Sequence, residues 1–399
     1  MKLYVKIIIG VLITLLCAAL VVCAVFFVSE LKTRVIYVAA AVVIAFIGLI
    51  LGIFMSQPKW LKIVYASVVL LILIATVSLL IRGCSVMGAI NEGAVDSVVR
   101  PQQNATHAPR PSIEPIEQEP SEDSFYVDLP DSEAVPDSTP VPIYKKEQKD
   151  DDIVNILVLG QDSDRLYNGY GRSDVTMLLS YDRTKGTIKL LSFMRDSYIP
   201  IEGHGWNKLN TCIRFGGPGL IINTLNDLYD LDIQLYVTLA FEEFTTLVDN
   251  IGGIDVVMSR AEASFCGASW AGESTPTHMT GRQALSYVRN RRTGQGDFSR
   301  TERQRKFMIA LYKKLRSDMS VNTMLELVNF SEEQIRTNMS FIDISNLALE
   351  LLDSGEISIQ QGRMPFDGTW HYGGINGASV VVIDIEQNKE LIHQYLYGE

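Results

Sequence analysis

The chain is poor in the residues that build metal centres and disulfide frameworks. Of its 399 residues, five are cysteine and five are histidine. There is no CxxC pair and no His-containing ligand spacing, which argues against zinc. Cys17 and Cys23 lie in an apolar run, where a thiol is a small apolar filler, and Cys84 follows another such run in a poor lipid-attachment context. The spacing of Cys212 and Cys266 leaves open whether they pair. FGGPGL (215–220) lacks the P-loop pattern and reads as a structural turn before a helix. No helix-turn-helix pattern is present either. His204, Trp206, Trp270 and Trp370 read as loop or core anchors, the tryptophans with faces on which sugars stack.

Apolar residues, by contrast, are concentrated at the start. Three uncharged runs, Ile7–Val28, Val35–Met55 and Ile63–Ile81, are each close to the ~20 residues a helix needs to cross a bilayer. The first run is too long for a signal peptide and has no small-residue cleavage site after it. Residues 1–90 are therefore expected to form a membrane domain of three transmembrane helices. Flanking charge orients them weakly, with Lys2, Lys6, Lys59 and Lys62 on one side and Lys32, Arg34 and Arg82 on the other.

The formal net charge of −11 is concentrated just beyond these runs. Residues 101–152 hold thirteen Asp/Glu, four Lys/Arg and nine of the fourteen prolines. Such a composition buries too little apolar surface to fold, so 91–151 is expected to be a disordered acidic linker. The remainder, 152–399, is long enough for one sizeable core.

Within 152–399, strand and helix patterns alternate without an internal repeat. IVNILVLG (153–160) reads as a buried strand, and 173–182 with 187–194 as a hairpin about the turn RTKG. Residues 209–231 read as helical on either side of Gly216-Gly217-Pro218, 233–240 and 254–259 as strands, and FEEFTTLVDNIGG between them as a helix. Two helices carrying many arginines come next, then a weaker helix pair. EISIQQ and SVVVIDI are expected to close the sheet before a last helix near 386–396. The class is α/β, an α/β/α sandwich with a central mixed sheet flanked by helices.

Seven of twenty arginines fall in the 24 residues Arg282–Arg305. The planar guanidinium fork matches phosphate oxygens two at a time. On a cytoplasmic protein the cluster suggests nucleic acid; outside the membrane it suggests a phosphorylated lipid or a wall precursor. Ser299 and Glu302 form an S-x-x-E box, which predicts a helix starting at Arg300. At ~100° per residue, Arg300, Gln304, Phe307, Leu311 and Leu315 share an inward face. Arg303, Lys306 and Lys313 are expected on a solvated one. A buried Arg300 needs either an internal carboxylate or a bound anion.

Asp162 and Asp174 flank the loop that leaves the first strand, with Arg172 between them. Chain leaving the carboxyl end of a strand is a usual place for ligand groups. Two carboxylates beside phosphate-binding arginines suit Mg²⁺. Local sequence equally allows Asp162 to hold the turn and Asp174 to pair with Arg172. Arg195-Asp196 leaves a second strand in the same way.

Together the stretches NILVLGQDSD, GRSDVTMLLS, LLSFMRDSYIPI, KLN…FGGPGL, VDNIGGIDV and GRQALSYVRNRR…GDFSRTERQRK resemble the LytR-CpsA-Psr family of membrane-anchored wall phosphotransferases. They occur in the family's order over about 150–320, and three preceding spans resemble its capsule-linked members. The resemblance implies transfer of a glycopolymer-1-phosphate from a polyprenyl diphosphate carrier to a peptidoglycan sugar hydroxyl, forming a phosphodiester; the polymer, whether teichoic acid, capsule or another wall glycan, is left open. It implies Mg²⁺, or Mn²⁺ in its place, on Asp162 and Asp174. Arg195, Arg291, Arg300 and Gln304 would bind the phosphates, Arg172 and Arg289 would assist, and Asp297 would support them or act as base. Arg165 stands out of place, since relatives often carry a basic residue directly after the Asp-Ser pair. An acceptor in the wall places the N-terminus inside the cell membrane and the C-terminal domain outside, with no nucleic-acid partner. The competing readings are a polyprenyl diphosphate hydrolase using water as acceptor, and a non-enzymatic sensor of lipid-linked intermediates.

Overall fold

In the computed structural model, residues 109–116, 140–161, 171–318, 335–355 and 357–398 are described. The three apolar runs lie outside them; among the described residues no helix is long and apolar enough to cross a membrane. The chain divides into two units, Met1–Glu92 with Ser340–Leu347, and Gly93–Met339 with Ala348–Glu399. Of the first only Ser340–Leu347 is described, where Ser340 and Asp343 cap a helix through reciprocal side-chain bonds.

The second unit is built on a mixed sheet. Its strands in chain order are β1 (Glu114–Pro115), β2 (Ile153–Gln161), β3 (Ser173–Asp182), β4 (Thr187–Phe193), β5 (Ser197–Ile201), β6 (Gly205–Lys208), β7 (Leu235–Ala240), β8 (Ile254–Val256), β9 (Thr277–Met279), β10 (Arg336–Thr337), β11 (Ser358–Met364), β12 (Trp370–Ile375) and β13 (Ala378–Ile383). The helices are α1 (Cys212–Tyr229), α2 (Phe241–Asn250), α3 (Arg260–Cys266), α4 (Gly281–Arg289), α5 (Gly296–Asp318), α6 (Phe341–Asp353, divided between the two units) and α7 (Ile385–Leu396). The main sheet runs β10-β7-β2-β3-β4-β11, a second runs β1-β12-β13-β5-β6, and β8-β9 form a third.

The expected hairpin is β3–β4, paired antiparallel from Met177↔Ser192 to Asp182↔Thr187. Successive residues of a strand face opposite ways, and β4 shows the consequence. Leu191 enters a core with Leu220, Leu225, Ile392 and Leu396 of α1 and α7. Its neighbour Ser192 meets Arg305 of α5 on the other face, 2.9 Å away. Helices therefore cover both faces, as the α/β/α class requires. The α2, α4 and α5 side has its own apolar cluster around Val248, Ala284, Tyr287 and Phe307.

Several expectations are corrected. β11 and β13 do not close one sheet: β11 adds to β4 in the main sheet, while β13 pairs with β5 in the second. Only 254–256 of the expected 254–259 strand forms, paired with β9, which the sequence pattern did not signal. The acidic segment is not a free linker in its described stretches. β1 pairs with β12, and Ile143 is fully buried in the main core. The backbone of 141–142 approaches Gly219 so closely that a Cβ there would lie 1.7 Å from the Val141 carbonyl oxygen. Lys149 N donates to Asp232 (2.7 Å) and Tyr144 N to Asn223 (2.9 Å), so the folded unit extends upstream of Asp152. Cys212 and Cys266 are free buried thiols in separate cores.

Candidate anion-binding site

The site is assembled where β2, β3 and β4 end. Along β2–β3, Gly160 pairs with Val175 and Gln161 with Ser173, which leaves Asp174 as the extra residue of a bulge. A bulge re-aims a side chain out of the strand's alternation, and the Asp174 carboxylate is directed at Arg195, with which it forms an ion pair. Arg195 and Asp196 occupy the step from β4 to β5, and their backbone is held on both sides. Asn210 N donates to the Arg195 carbonyl (3.0 Å) and Val381 N to that of Asp196 (2.9 Å). Arg195 Nε then lies 3.1 Å from Asp196 Oδ2, and Lys208 Nζ 3.3 Å from Asp196 Oδ1.

The other half comes from the α4–α5 connection. Asn290, fully buried, accepts from the backbone N–H groups of Arg292 (2.9 Å) and Thr293 (3.3 Å), a local turn that ends α4. Asp297 and Arg300 lie in the first turns of α5. Asp297 Oδ1 is shared by Arg291 Nη2 at 2.9 Å and Arg300 Nη2 at 2.6 Å. The Arg300 contact is an ion pair whose angle does not make a hydrogen bond. Arg300 Nε and Asp297 Oδ2 are buried without a hydrogen-bond partner.

Among the described residues, Arg195, Arg291, Arg300 and Lys208 face Asp174, Asp196 and Asp297, four cations against three carboxylates. Burial alone would raise the Asp174 carboxyl, but Arg195, Arg300 and Arg291 outweigh it and bring it down to about 2. Burial likewise opposes the charge on Arg195, and Asp196, Asp174 and Asp297 overcome it and hold that guanidinium above its ordinary value. At Arg300 the balance is reversed. Burial, with Arg195 and Arg291 adding, pushes it down to about 10 against the partial support of Asp297 and Asp174. Among the described residues the carboxylates under-compensate the charge on Arg300, and a bound anion would correct that.

The expected site residues do not all converge. Arg195, Arg291, Arg300, Asp297 and Asp174 do, and Arg172 is half-buried two positions before Asp174. Gln304 is buried on the same helix face but donates to the Val288 carbonyl at 3.3 Å, tying α5 to α4. Arg289 is exposed, its guanidinium 4.4 Å from the Phe241 ring centroid. Asp162 and Arg165 lie outside the described residues, and among the described ones no group of three or more His, Cys, Asp or Glu could hold a metal.

Two expectations about α5 fail. The helix starts at Gly296, a turn before Arg300, and Ser299 Oγ accepts from Gln295 N (2.7 Å) instead of forming the box. Arg303 is not solvated: it is 2% exposed and bonded to Glu262, Asn290 and Thr293. Lys208 was not anticipated. Its only signal is a lone lysine within KLN, between Asn207 and Leu209.

Comparison with known proteins agrees with this assembly. A model of the LytR_cpsA_psr family matches residues 128–395. The chain belongs to that family. Among characterised members it is similar to the polyisoprenyl-teichoic acid–peptidoglycan teichoic acid transferase TagU of Bacillus mycoides (strain KBAB4), 31% identical over 226 residues, 55% of this chain and 73% of that one. It is also similar to the regulatory protein MsrR of Staphylococcus aureus (strain COL), 27% identical over 251 residues, 62% of this chain and 76% of that one. Its fold resembles a solved structure of TagT bound to LI-WTA, with a TM-score of 0.52 at 23% identity over 63% of this chain and 94% of TagT. At that identity the likeness is one of fold.

Proposed function

We propose that this family member transfers a glycopolymer-1-phosphate from a polyprenyl diphosphate carrier to a peptidoglycan sugar hydroxyl. One observation carries the reading: among the described residues, Arg300 is buried beside Arg195, Arg291 and Asp297 and keeps Nε without a hydrogen-bond partner. The teichoic acid transferase activity named for a 31% identical relative points the same way. Residues 7–28, 35–55 and 63–81 are taken as spans that hold the domain at the outer face of the cell membrane.

Phosphoryl transfer depends on positioning and on neutralising charge at non-bridging oxygens. Arg195, Arg291 and Arg300 would take those oxygens, with Arg172 at the mouth. Asp196, itself paired with Lys208, holds Arg195 from behind. The acceptor hydroxyl oxygen forms a bond to the sugar-linked phosphorus as its bond to the bridging oxygen breaks, and polyprenyl phosphate leaves. Asp297 Oδ2, the carboxylate oxygen without a partner, is available for the hydroxyl proton. Asp174 stays ionised, and its side chain is 18% exposed, which fits a cation that takes one or two carboxylates and completes its shell with phosphate and water. Mg²⁺ held there and by Asp162 would neutralise charge on the diphosphate.

The test is incubation of the full-length protein in detergent with a polyprenyl-diphosphate-linked disaccharide, Mg²⁺ and peptidoglycan fragments, followed by mass spectrometry. A phosphodiester-linked product, lost on Arg195→Ala, is expected. Free sugar phosphate as the sole product would replace the reading with hydrolysis, and tight binding without turnover would replace it with sensing.

A further inference from the structure

Arg303 makes a set of contacts that the proposed chemistry does not use. Its Nε donates to Glu262 Oε1 at 2.6 Å, Nη1 to the Asn290 carbonyl at 2.7 Å, and Nη2 to Thr293 Oγ1 at 2.6 Å and to the Thr293 carbonyl. Glu262 is itself fixed, because its other oxygen accepts from Ser259 N (2.8 Å) and Ser259 Oγ (2.9 Å) in the capping box of α3. None of the cluster's carboxylates is among Arg303's partners, and Glu262 neutralises its charge locally. This arginine's hydrogen-bonding groups are all taken up by Glu262, Asn290 and Thr293.

The residues it grips bracket Arg291. The connection from Asn290 to Gly296 has two glycines with positive φ, Gly294 (84°) and Gly296 (49°), a backbone that costs entropy to hold in one shape. Its fit is tight: a Cβ on Gly294 would lie 2.4 Å from Ser299 Oγ and 3.5 Å from Arg303 Nη2. The turn's own bonds come from Asn290, and among the described residues Arg303 is the side chain that ties the Asn290 and Thr293 carbonyls to a second element.

We infer that Arg303, braced by Glu262, is a positioning residue that fixes the 290–293 turn and thereby the place where Arg291 presents its guanidinium to the phosphate. The inference rests on the diphosphate reading of the site. A lysine supplies the charge but no planar fork to span a carboxylate and two carbonyls at once. Small misplacements of a binding group carry large penalties in such sites.

The experiment uses the full-length protein in detergent with geranylgeranyl diphosphate as probe. Two quantities are read: probe affinity by calorimetry, and amide exchange over 290–296 without the probe. Arg303→Lys should speed exchange in that segment and weaken the probe roughly tenfold, the size of one charge-assisted bond. Arg291→Ala should weaken it by the same factor. The Arg303→Lys/Arg291→Ala double variant should bind no worse than Arg291→Ala, since contacts that act through one another are not additive. Multiplicative losses, or unchanged exchange over 290–296, would overturn the inference. If the wild type does not bind the probe, the diphosphate reading fails, and exchange alone decides whether Arg303 holds the turn. Should Arg303→Lys fail to fold, Glu262→Gln removes one arm and is read in the same two ways.

Discussion

Arg300 and Arg303 lie three residues apart on α5, are 3% and 2% exposed, and differ completely in how the protein satisfies them. Arg303 is bonded to one carboxylate, two backbone carbonyls and a hydroxyl. Arg300 shares a single Asp297 oxygen with Arg291 and keeps Nε without a partner. A buried guanidinium left in this condition weakens the folded state unless it has a ligand. The first arginine is suited to binding and the second to holding.

Arg300→Met should therefore separate stability from binding. An apolar side chain of similar length removes an under-compensated charge and leaves Asp297 paired with Arg291. Urea unfolding is expected to show equal or greater stability than wild type. Affinity for a polyprenyl diphosphate should fall roughly 10- to 150-fold, from a lost bond of about 1.5–3 kcal/mol. A clear loss of stability would show that Arg300 is compensated internally after all.

Acid stability should depend on Asp174. Its carboxyl falls from an ordinary 3.8 to about 2 in the folded protein. A depressed carboxyl adds stability that is complete above about pH 4 and is lost as pH drops through about 2. The contribution is about 2 kcal/mol. Asp174→Asn should be less stable by that order at pH 7, with the gap from wild type closing between pH 4 and 2. A gap that stays constant across that window would mean the Arg195 pair contributes nothing through ionisation.

Truncation should reveal where the folded unit begins. Ile143 is fully buried, and Lys149 N and Tyr144 N bond to Asp232 and Asn223. Burying one such side chain is worth about 1.5–3 kcal/mol, before the hydrogen bonds are counted. A chain starting at residue 140 should melt well above one starting at 152. Equal melting temperatures would return 140–151 to the linker.

The thiols should be silent. Cys212 and Cys266 are both free and sit in different apolar clusters. In a chain starting at residue 140, which holds no other cysteine, the melting temperature should not change with reductant, and intact mass should show no loss of two hydrogens. A reductant-sensitive melt would require the two clusters to approach each other.

Much of the fold was legible from local sequence. The β3–β4 hairpin follows from β-formers around RTKG, the break in α1 from Gly216-Gly217-Pro218, and the inward turn of Arg300, Gln304 and Phe307 from helical spacing. Family motifs pointed to Arg195, Arg291 and Asp297 before any geometry. What escaped has a common cause: periodicity reports one covered face, whereas the first half of α5 is covered on several. Arg303 faces Glu262 and Asn290 while Arg305 faces Ser192, so a spacing that reads as solvated is buried by elements 13 to 113 residues away in sequence. The same holds for Asp174, whose choice of Arg195 over Arg172 depends on a bulge in the β2–β3 register, and for β11 and β13, which join different sheets. The sequence by itself determined the longer strands and helices and which charged residues gather at their ends. Only the tertiary structure decided which of those charges satisfy one another, because a buried ion's partner is set by distance and desolvation, and neither is a property of neighbouring residues along the chain.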